Sequence, residues 1–281
     1  MCPIDVVKTR IQLQPDVYNK GMIGSFKQVI AAEGAGALAT GLGPTVFGYF
    51  IQGWFKFGGV EFFKIQFLQN LGEERAWASR NSIFLASAAM AEFIADVFLC
   101  PLEATRIKLV VNPSFASSTP SAMAKIAAQD GVLNGFYSGF GPILFKQVPY
   151  TMAKFTVQGQ VAEAIYDSMG KNPKECSSST NLSVSVGSGV VAGVAAAVIS
   201  HPADTLLSKI NKPGAGGEGS NMMRLGRIAA ETGYMNLCTQ GLATRCFMIG
   251  ILTASQFGIF DCIMGALGAS KFHFHNPADR H

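Results

Sequence analysis

Five long apolar segments dominate the hydrophobic pattern of the chain. Each is about 20 residues long, which is the length that a helix needs to cross the hydrocarbon core of a bilayer. The pattern therefore predicts an all-α membrane protein. The segments are 44–63, 82–102, 139–158, 182–201 and 242–260.

Shorter amphipathic stretches lie between these apolar segments and resemble one another. Each has the length and the spacing of apolar positions of one helix at the surface. We therefore predict three short surface helices. Their sequences are GSFKQVIAAEG, SAMAKIAAQDG and NMMRLGRIAAETG.

A motif of proline, any residue and an acidic residue occurs three times. It begins at Pro3, Pro101 and Pro202, at intervals of 98 and 101 residues. A glycine landmark keeps the same period in GLGPTVFG, GFGPILFK and GLATRCFM. Repeats of this kind predict a threefold pseudo-symmetric transmembrane helical bundle. The predicted repeats are 1–75, 76–172 and 173–270, followed by a tail at 271–281.

The first repeat should begin with a spanning helix before its proline motif. Only Met1 and Cys2 precede Pro3. We therefore expect the first transmembrane helix to be mostly missing, through truncation of the product or an error in the gene model.

Composition agrees with a membrane protein and excludes several other classes. Of the 281 residues 49% are hydrophobic and 14% are charged, and the net charge is only +4. The basic residues are spread along the chain, so nothing favours nucleic-acid binding. The six cysteines form no Cys-x-x-Cys pair and have no histidines at metal-ligand spacing, so we expect no metal and no cofactor.

The repeated motif resembles that of the mitochondrial carrier family. The stretches FLCPLEATRIKLV, KQVPYTMAKF and SHPADTLLSKIN are similar to those of the phosphate carriers within it, and the resemblance fails only at the missing start. It implies a multi-pass protein of the mitochondrial inner membrane, not an enzyme. It further implies transport of inorganic phosphate with protons, by phosphate/H⁺ symport or phosphate/OH⁻ antiport and alternating access. The partners it implies are phosphate, protons and membrane lipid such as cardiolipin at the surface helices, and the carrier is expected to work as a monomer.

The proline motifs predict a gate. Charges at membrane depth are costly and normally pair inside a bundle or a cavity. A ring of ion pairs between repeats would close one end of the bundle, as the resembling family does on its matrix side. The predicted gate residues are Pro3, Asp5, Lys8, Pro101, Glu103, Arg106, Pro202 and Asp204.

The third motif has Leu207 where the other two have a cation. If each carboxylate pairs with the cation of the next repeat, Glu103 faces Leu207 and lacks a partner. An unpaired carboxylate in a low-dielectric cavity is a candidate proton carrier. The predicted proton-coupling residues are Glu92, Asp96, Glu103 and His201, of which the first three lie on one helical stripe.

Equivalent positions of the three repeats predict where an anion binds. The resemblance places substrate about halfway along the even-numbered spans, where a lysine is a suitable point charge for phosphate. The predicted substrate-binding residues are Gly48, Gln52, Lys146, Gln147, Tyr150 and Met248. A second polar layer on roughly the same stripe consists of Lys56, Lys154 and Gln256. Its lysines either guide the anion or balance the acidic stripe.

Three alternatives stay open at this point. A sister carrier for copper or another small anion could share almost all of these residues. A truncated paralogue that does not transport is the second alternative, because half of the first repeat's scaffold is absent. A membrane enzyme is the weakest, because no nucleophile and base share a recognisable motif.

Overall fold

The structure is a computed structural model of the 281-residue chain. It describes residues 6–7, 17, 21–171, 173, 175–210, 221–239 and 242–269. Every regular element within these residues is helical. The prediction of an all-α protein is therefore confirmed.

From residue 21 onward, the described residues of the first half of the chain form seven α-helices, and Val6 and Val7 are also helical. The seven helices are α1 Gly21–Glu33, α2 Leu42–Gly53, α3 Gly59–Leu71, α4 Glu73–Ala78, α5 Arg80–Val111, α6 Thr119–Asp130 and α7 Val132–Tyr137. A 3₁₀ turn, Ala35–Ala39, follows α1. Helix α2 continues through a short π-helical turn, Trp54–Gly58, into α3, and α5 is the longest of the seven.

The described residues of the second half form five more helices. They are α8 Phe140–Met169, α9 Ser178–Ile210, α10 Asn221–Thr232, α11 Tyr234–Thr239 and α12 Leu242–Ala266. Helices α8 and α9 have 30 and 33 residues. The two short helices, α10 and α11, lie between α9 and α12 along the chain.

All five predicted apolar segments are helical. By length and composition, three helices of the described chain could cross a membrane: α5, residues Ser178–Leu206 of α9 and residues Arg245–Ala266 of α12. The segments 44–63 and 139–158 are also helical, but each carries a buried lysine, Lys56 or Lys154.

The three predicted surface helices are α1, α6 and α10. Each ends directly before a glycine with positive φ, at 83° for Gly34, 77° for Gly131 and 76° for Gly233. Glycine adopts this left-handed conformation without the steric cost of a Cβ. The same glycine conformation therefore follows each of these three helices.

Helix α9 buries small and polar side chains and exposes apolar ones. Small and polar side chains such as Ser188, Ala192 and Ser200 are fully buried, whereas Val190 and Val198 are more than 40% exposed. A helix in water would place the valines inside and the serines outside. The exposed apolar face is what a lipid-facing helix requires.

The chain packs as two compact units, each assembled from segments that are distant in sequence. The first unit comprises the described residues within Met1–Gly53, Ala95–Leu144 and Asp204–Tyr234. The second comprises those within Trp54–Ile94, Phe145–Ala203 and Met235–His281.

Within the second unit, α9 and α12 approach closely. A Cβ added at Gly193 would lie 2.8 Å from the Cα of Gly250 and from the carbonyl oxygen of Ile249. At Gly189 it would lie 2.9 Å from the Cα of Ala254. Small residues thus let the two backbones pack together, which is a common arrangement between membrane helices.

Candidate functional site

A buried ion pair lies in the second unit. The Lys56 ammonium is 2.9 Å from Glu92 Oε2, and the Glu92 side chain is fully buried. The Thr151 hydroxyl donates to the same oxygen at 2.8 Å. One carboxylate oxygen therefore receives both a charge-assisted hydrogen bond and a neutral one, whereas the other, Glu92 Oε1, is buried and makes no hydrogen bond within the described chain.

Lys56 reaches this position from the π-helical turn Trp54–Gly58. A π turn contains one residue more per hydrogen-bonded ring than an α turn and is frequent at functional sites. The side chains after such a turn are rotated relative to an uninterrupted α-helix. The apolar run of this segment does not reveal the turn.

The second buried cation of this layer is Lys154, whose side chain is 1% exposed. Its ammonium donates to Gln256 Oε1 at 2.5 Å. No carboxylate among the described residues forms an ion pair with it. Lys154 is therefore a buried lysine whose hydrogen-bond partner is a neutral amide.

The predicted substrate-binding residues are divided between the two units. Gly48 and Gln52 are buried in the first unit, and a Cβ at Gly48 would lie 3.2 Å from Leu99 Cδ1. Lys146 and Gln147 are half-buried on α8 in the second unit.

Tyr150 and Met248 complete the predicted set in the second unit. Tyr150 is half-buried, and its hydroxyl lies 3.4 Å from Thr253 Oγ1. Met248 is 54% exposed on α12. Substrate binding by these residues stays a prediction.

Two predicted proton-coupling residues, Asp96 and His201, are deeply buried. Asp96 is fully buried one helical turn after Glu92 on α5. His201 is 5% exposed on α9, and the neighbouring Ser200 accepts a hydrogen bond from the Arg245 guanidinium at 3.0 Å. Their part in proton coupling stays a prediction.

The prediction that Glu103 lacks a partner is wrong. Arg106 Nη1 lies 2.9 Å and 3.1 Å from its two carboxylate oxygens. Residues three apart share one face of a helix, so the arginine of the same motif reaches back to the carboxylate. The argument that made Glu103 a proton carrier because it is unpaired therefore fails.

Helix α5 continues through the proline of its motif, and a side chain from α7 compensates for the lost hydrogen bond. Pro101 has no N–H, so the carbonyl of Val97, four residues earlier, has no helical donor. The Tyr137 hydroxyl donates to that carbonyl at 3.0 Å. Next to it, the Cys100 thiol donates to the Phe136 carbonyl at 3.1 Å.

In the third repeat, Pro202 lies inside α9 and Asp204 is half-buried two residues later. Pro3, Asp5 and Lys8 lie outside the described residues, as does the tail at 271–281. The predicted ring of ion pairs between repeats therefore stays a prediction.

Sequence reasoning missed two groups of residues in the second unit. Thr151 belongs to the stretch PYTMAKF, but nothing in that pattern connects it with a carboxylate 59 residues earlier. The aromatic residues Phe57, Phe155 and Phe257 each directly follow a residue of the second polar layer. That regularity is visible in the repeats and could have identified them.

The described residues contain no group of three or more histidine, cysteine, aspartate and glutamate side chains that could hold a metal ion. The chemistry of the second unit is that of buried ammonium groups, a carboxylate, amides and hydroxyls. Ammonium groups, amides and hydroxyls can donate hydrogen bonds to an anion, and a carboxylate can accept a proton.

Comparison with known proteins identifies the family. The family model described as mitochondrial carrier protein matches residues 1–71 and 80–169, which is more than half of the chain. The chain is a member of the mitochondrial carrier family. It is therefore a transporter of the mitochondrial inner membrane and not an enzyme.

Individual relatives cover almost the whole carrier. "Mitochondrial substrate carrier family protein N" of Dictyostelium discoideum is 49% identical over 95% of this chain and 88% of its own length. "Probable mitochondrial phosphate carrier protein" of Schizosaccharomyces pombe is 40% identical over 92% of this chain and 82% of its own. "Solute carrier family 25 member 3" of Homo sapiens is 38% identical over 94% of this chain and 70% of its own.

Proposed function

We propose that this carrier moves inorganic phosphate across the mitochondrial inner membrane together with protons, by phosphate/H⁺ symport or the equivalent phosphate/OH⁻ antiport. Relatives from a fission yeast and a nematode, each 40% identical to it, are named as phosphate carriers. Similarity of this extent supports a shared substrate class.

The observation that carries the proposal is the excess of buried positive charge in the second unit. Lys56 is paired with Glu92, whereas Lys154 has the neutral Gln256 as its hydrogen-bond partner. Two buried ammonium groups that share one buried carboxylate, Glu92, are costly, and an entering anion reduces that cost. An oxyanion such as phosphate also has enough acceptor oxygens for several donors at once.

Lys146 is the group we assign to direct phosphate binding. It is half-buried on α8, two turns before Lys154, and Gln147 is beside it. Phosphate is expected to reach Lys146 first and then the deeper second polar layer of Lys56, Lys154 and Gln256. Gly48, Gln52, Tyr150 and Met248 complete the proposed substrate-binding set.

The proposed proton site is Glu92, with Asp96 on the same stripe of α5. Both carboxylates are fully buried, and a buried carboxylate that takes up a proton no longer requires a paired cation. A proton on Glu92 would release Lys56 toward phosphate, which couples the two ligands. His201 is proposed as a further relay because an imidazole has one nitrogen that can accept a proton and one that can donate it.

Alternating access requires that the bound ligands favour the occluded state over both open states. We propose that the motifs at Pro3, Pro101 and Pro202 form the matrix gate, with the three repeats at 1–75, 76–172 and 173–270. The same proposal takes the carrier to work as a monomer with anionic lipid, such as cardiolipin, at α1, α6 and α10.

The test is phosphate uptake by the full 281-residue chain in liposomes, with and without an imposed pH gradient. Uptake should rise when the exterior is acidic. Lys146→Ala should abolish uptake, because it removes the cation that binds phosphate, whereas Lys125→Ala on the surface helix α6 should not.

Three results would contradict the proposal. Absence of phosphate uptake by folded protein would indicate a chain that does not transport this anion. Uptake at the same rate with and without the pH gradient would contradict proton coupling. Inhibition of uptake by copper, together with copper accumulation, would favour a carrier with a different substrate.

A further inference from the structure

Three phenylalanine rings meet edge to face in the core of the second unit. The ring centroids of Phe57 and Phe155 are 5.2 Å apart, those of Phe57 and Phe257 5.5 Å, and those of Phe155 and Phe257 5.4 Å. The interplanar angles are 72°, 78° and 81°. Each ring thus contacts the other two in the geometry that aromatic quadrupoles favour. We call these three residues the aromatic triad.

Each repeat contributes one member of the aromatic triad. The rings stand at equivalent positions, one residue after Lys56, Lys154 and Gln256 in WFKF, MAKF and ASQF. Phe155 is 5% exposed and Phe257 is 2% exposed, and both belong to a buried apolar cluster with Val60, Ala88 and Ala91. The triad is therefore a closed apolar contact between three repeats.

The Lys154 ammonium lies over all three rings. Its nitrogen is 4.9 Å from the centroid of Phe57, 5.6 Å from that of Phe155 and 5.2 Å from that of Phe257. All three distances are within the range of about 6 Å for an attractive cation–π contact. Lys154 is thus held by three aromatic faces and the Gln256 amide.

In this arrangement the three rings and an anion compete for the Lys154 ammonium. A cation–π contact is weaker than a buried ion pair with an oxyanion that also accepts hydrogen bonds. An anion that pairs with the ammonium therefore draws Lys154 away from the rings. The rings then lose the cation that they share, and the contact between the three repeats weakens.

We propose that the aromatic triad and Lys154 form an anion-sensitive latch, in which the rings hold the ammonium until an oxyanion displaces them. Lys154 then acts as a specificity-determining residue, because a solute without negative charge cannot compete for the ammonium. This inference deepens the proposed phosphate transport and rests on it for the identity of the anion.

The test measures anion binding separately from transport. A ligand that binds the folded state raises the melting temperature of a protein as its concentration increases. The full chain in detergent is titrated with inorganic phosphate, and in parallel with sulfate and with malonate. The readout is the anion concentration that gives half of the maximal rise in melting temperature.

The latch predicts that one substitution in the aromatic triad strengthens anion binding instead of weakening it. Phe257→Leu keeps an apolar side chain but removes one competing ring, so the anion should bind roughly two- to thirty-fold more tightly. If the rings only stabilised the fold, the same change would weaken binding or leave it unaltered. Phe155→Leu is the second variant and should shift binding in the same direction if Phe257→Leu does not fold.

Two further variants complete the anion-binding experiment. Lys154→Met keeps the length of the side chain without its charge and should weaken the response to the anion, although Lys146 is still present to bind it. Phe247→Leu is the matched control, because Phe247 lies on α12 with 73% of its side chain exposed. It should leave the half-maximal concentration unchanged.

The outcomes separate the latch from the proposed function. If sulfate or malonate stabilises the chain and phosphate does not, and Phe257→Leu tightens that binding, the latch stands and phosphate is the wrong substrate. If phosphate stabilises the chain equally with Lys154→Met, or if both leucine variants fail to tighten binding, the latch is overturned while phosphate transport stands. A chain that responds to none of the three anions overturns the latch.

Discussion

Glu92 and Glu103 lie on the same helix, α5, about three turns apart, but their surroundings differ. Glu92 is fully buried in the second unit and is bound by Lys56 from the π turn and Thr151 from α8. Glu103 belongs to the first unit, its side chain is 32% exposed, and Arg106 of the same helix pairs with it. One carboxylate depends on partners distant in sequence and the other on its own helical turn.

The difference indicates which charges are available for a transport cycle. A local pair such as Glu103 with Arg106 forms wherever the helix forms and changes little in free energy when it breaks. A buried pair such as Lys56 with Glu92 is expensive to break by removing one partner, but a proton or an anion can replace a partner. We therefore expect the second unit to be the more sensitive to ligands.

The largest predicted effect is that of Lys56→Met. It leaves the Glu92 carboxylate buried without its cation and should destabilise the chain by about 3–5 kcal/mol. The measurement is the shift of the unfolding midpoint in detergent. Adding Glu92→Gln should restore most of the loss, because the double variant has no uncompensated charge. A double variant as unstable as the single one would show that the ion pair is not the cause.

The second-largest predicted loss of stability is that of Thr151→Val. It removes a hydrogen bond to a buried charged oxygen and should cost about 1.5–3 kcal/mol of stability, measured as the shift of the same unfolding midpoint. The control is Thr156→Val on the same helix, since Thr156 Oγ1 is buried and makes no hydrogen bond within the described chain. That change should be neutral or slightly stabilising.

Thr151→Val also tests function. It removes one of the two donors to Glu92 Oε2, so phosphate uptake driven by a pH gradient should fall. Thr151→Ser keeps the hydroxyl and should restore the wild-type rate. An unchanged uptake rate with Thr151→Val would confine the hydroxyl to a structural role.

Gly193→Ala tests the close approach of α9 to α12. The added Cβ would meet backbone atoms at 2.8 Å, which cannot rotate away, so we expect a loss of about 1–3 kcal/mol. A Cβ at Gly187 on the same helix would meet no atom within 4 Å, so Gly187→Ala should instead stabilise the helix by about 0.5–1 kcal/mol. Unfolding midpoints that move in the same direction for both variants would contradict this packing.

The smallest predicted effect is that of Lys108→Ala in the first unit. Lys108 pairs with Asp130 at 2.9 Å, but both side chains are more than 40% exposed. An exposed pair of this kind contributes about 0–1 kcal/mol and is screened by salt, so the unfolding midpoint should barely move. A loss as large as that for Lys56→Met would invalidate the comparison between the two units.

Much of the fold follows from local pattern. The five apolar segments and the three surface helices are helical where the sequence predicts them, because length, periodicity and terminal glycines act within one element. The sequence did not reveal the partner of Glu103. Spacing alone allows both Arg106 on the same helix and a cation from another repeat, and side-chain geometry decides between them.

The sequence by itself determined the class of this protein, its repeated helices and its membership of the mitochondrial carrier family, because these depend on composition, period and motif. The tertiary structure decided that Thr151 and Lys56 share one oxygen of Glu92, and that three rings surround Lys154. Except for Lys154 and its neighbour Phe155, these contacts join residues of different helices. The geometry of helix packing, which no local pattern records, brings them within a few ångströms.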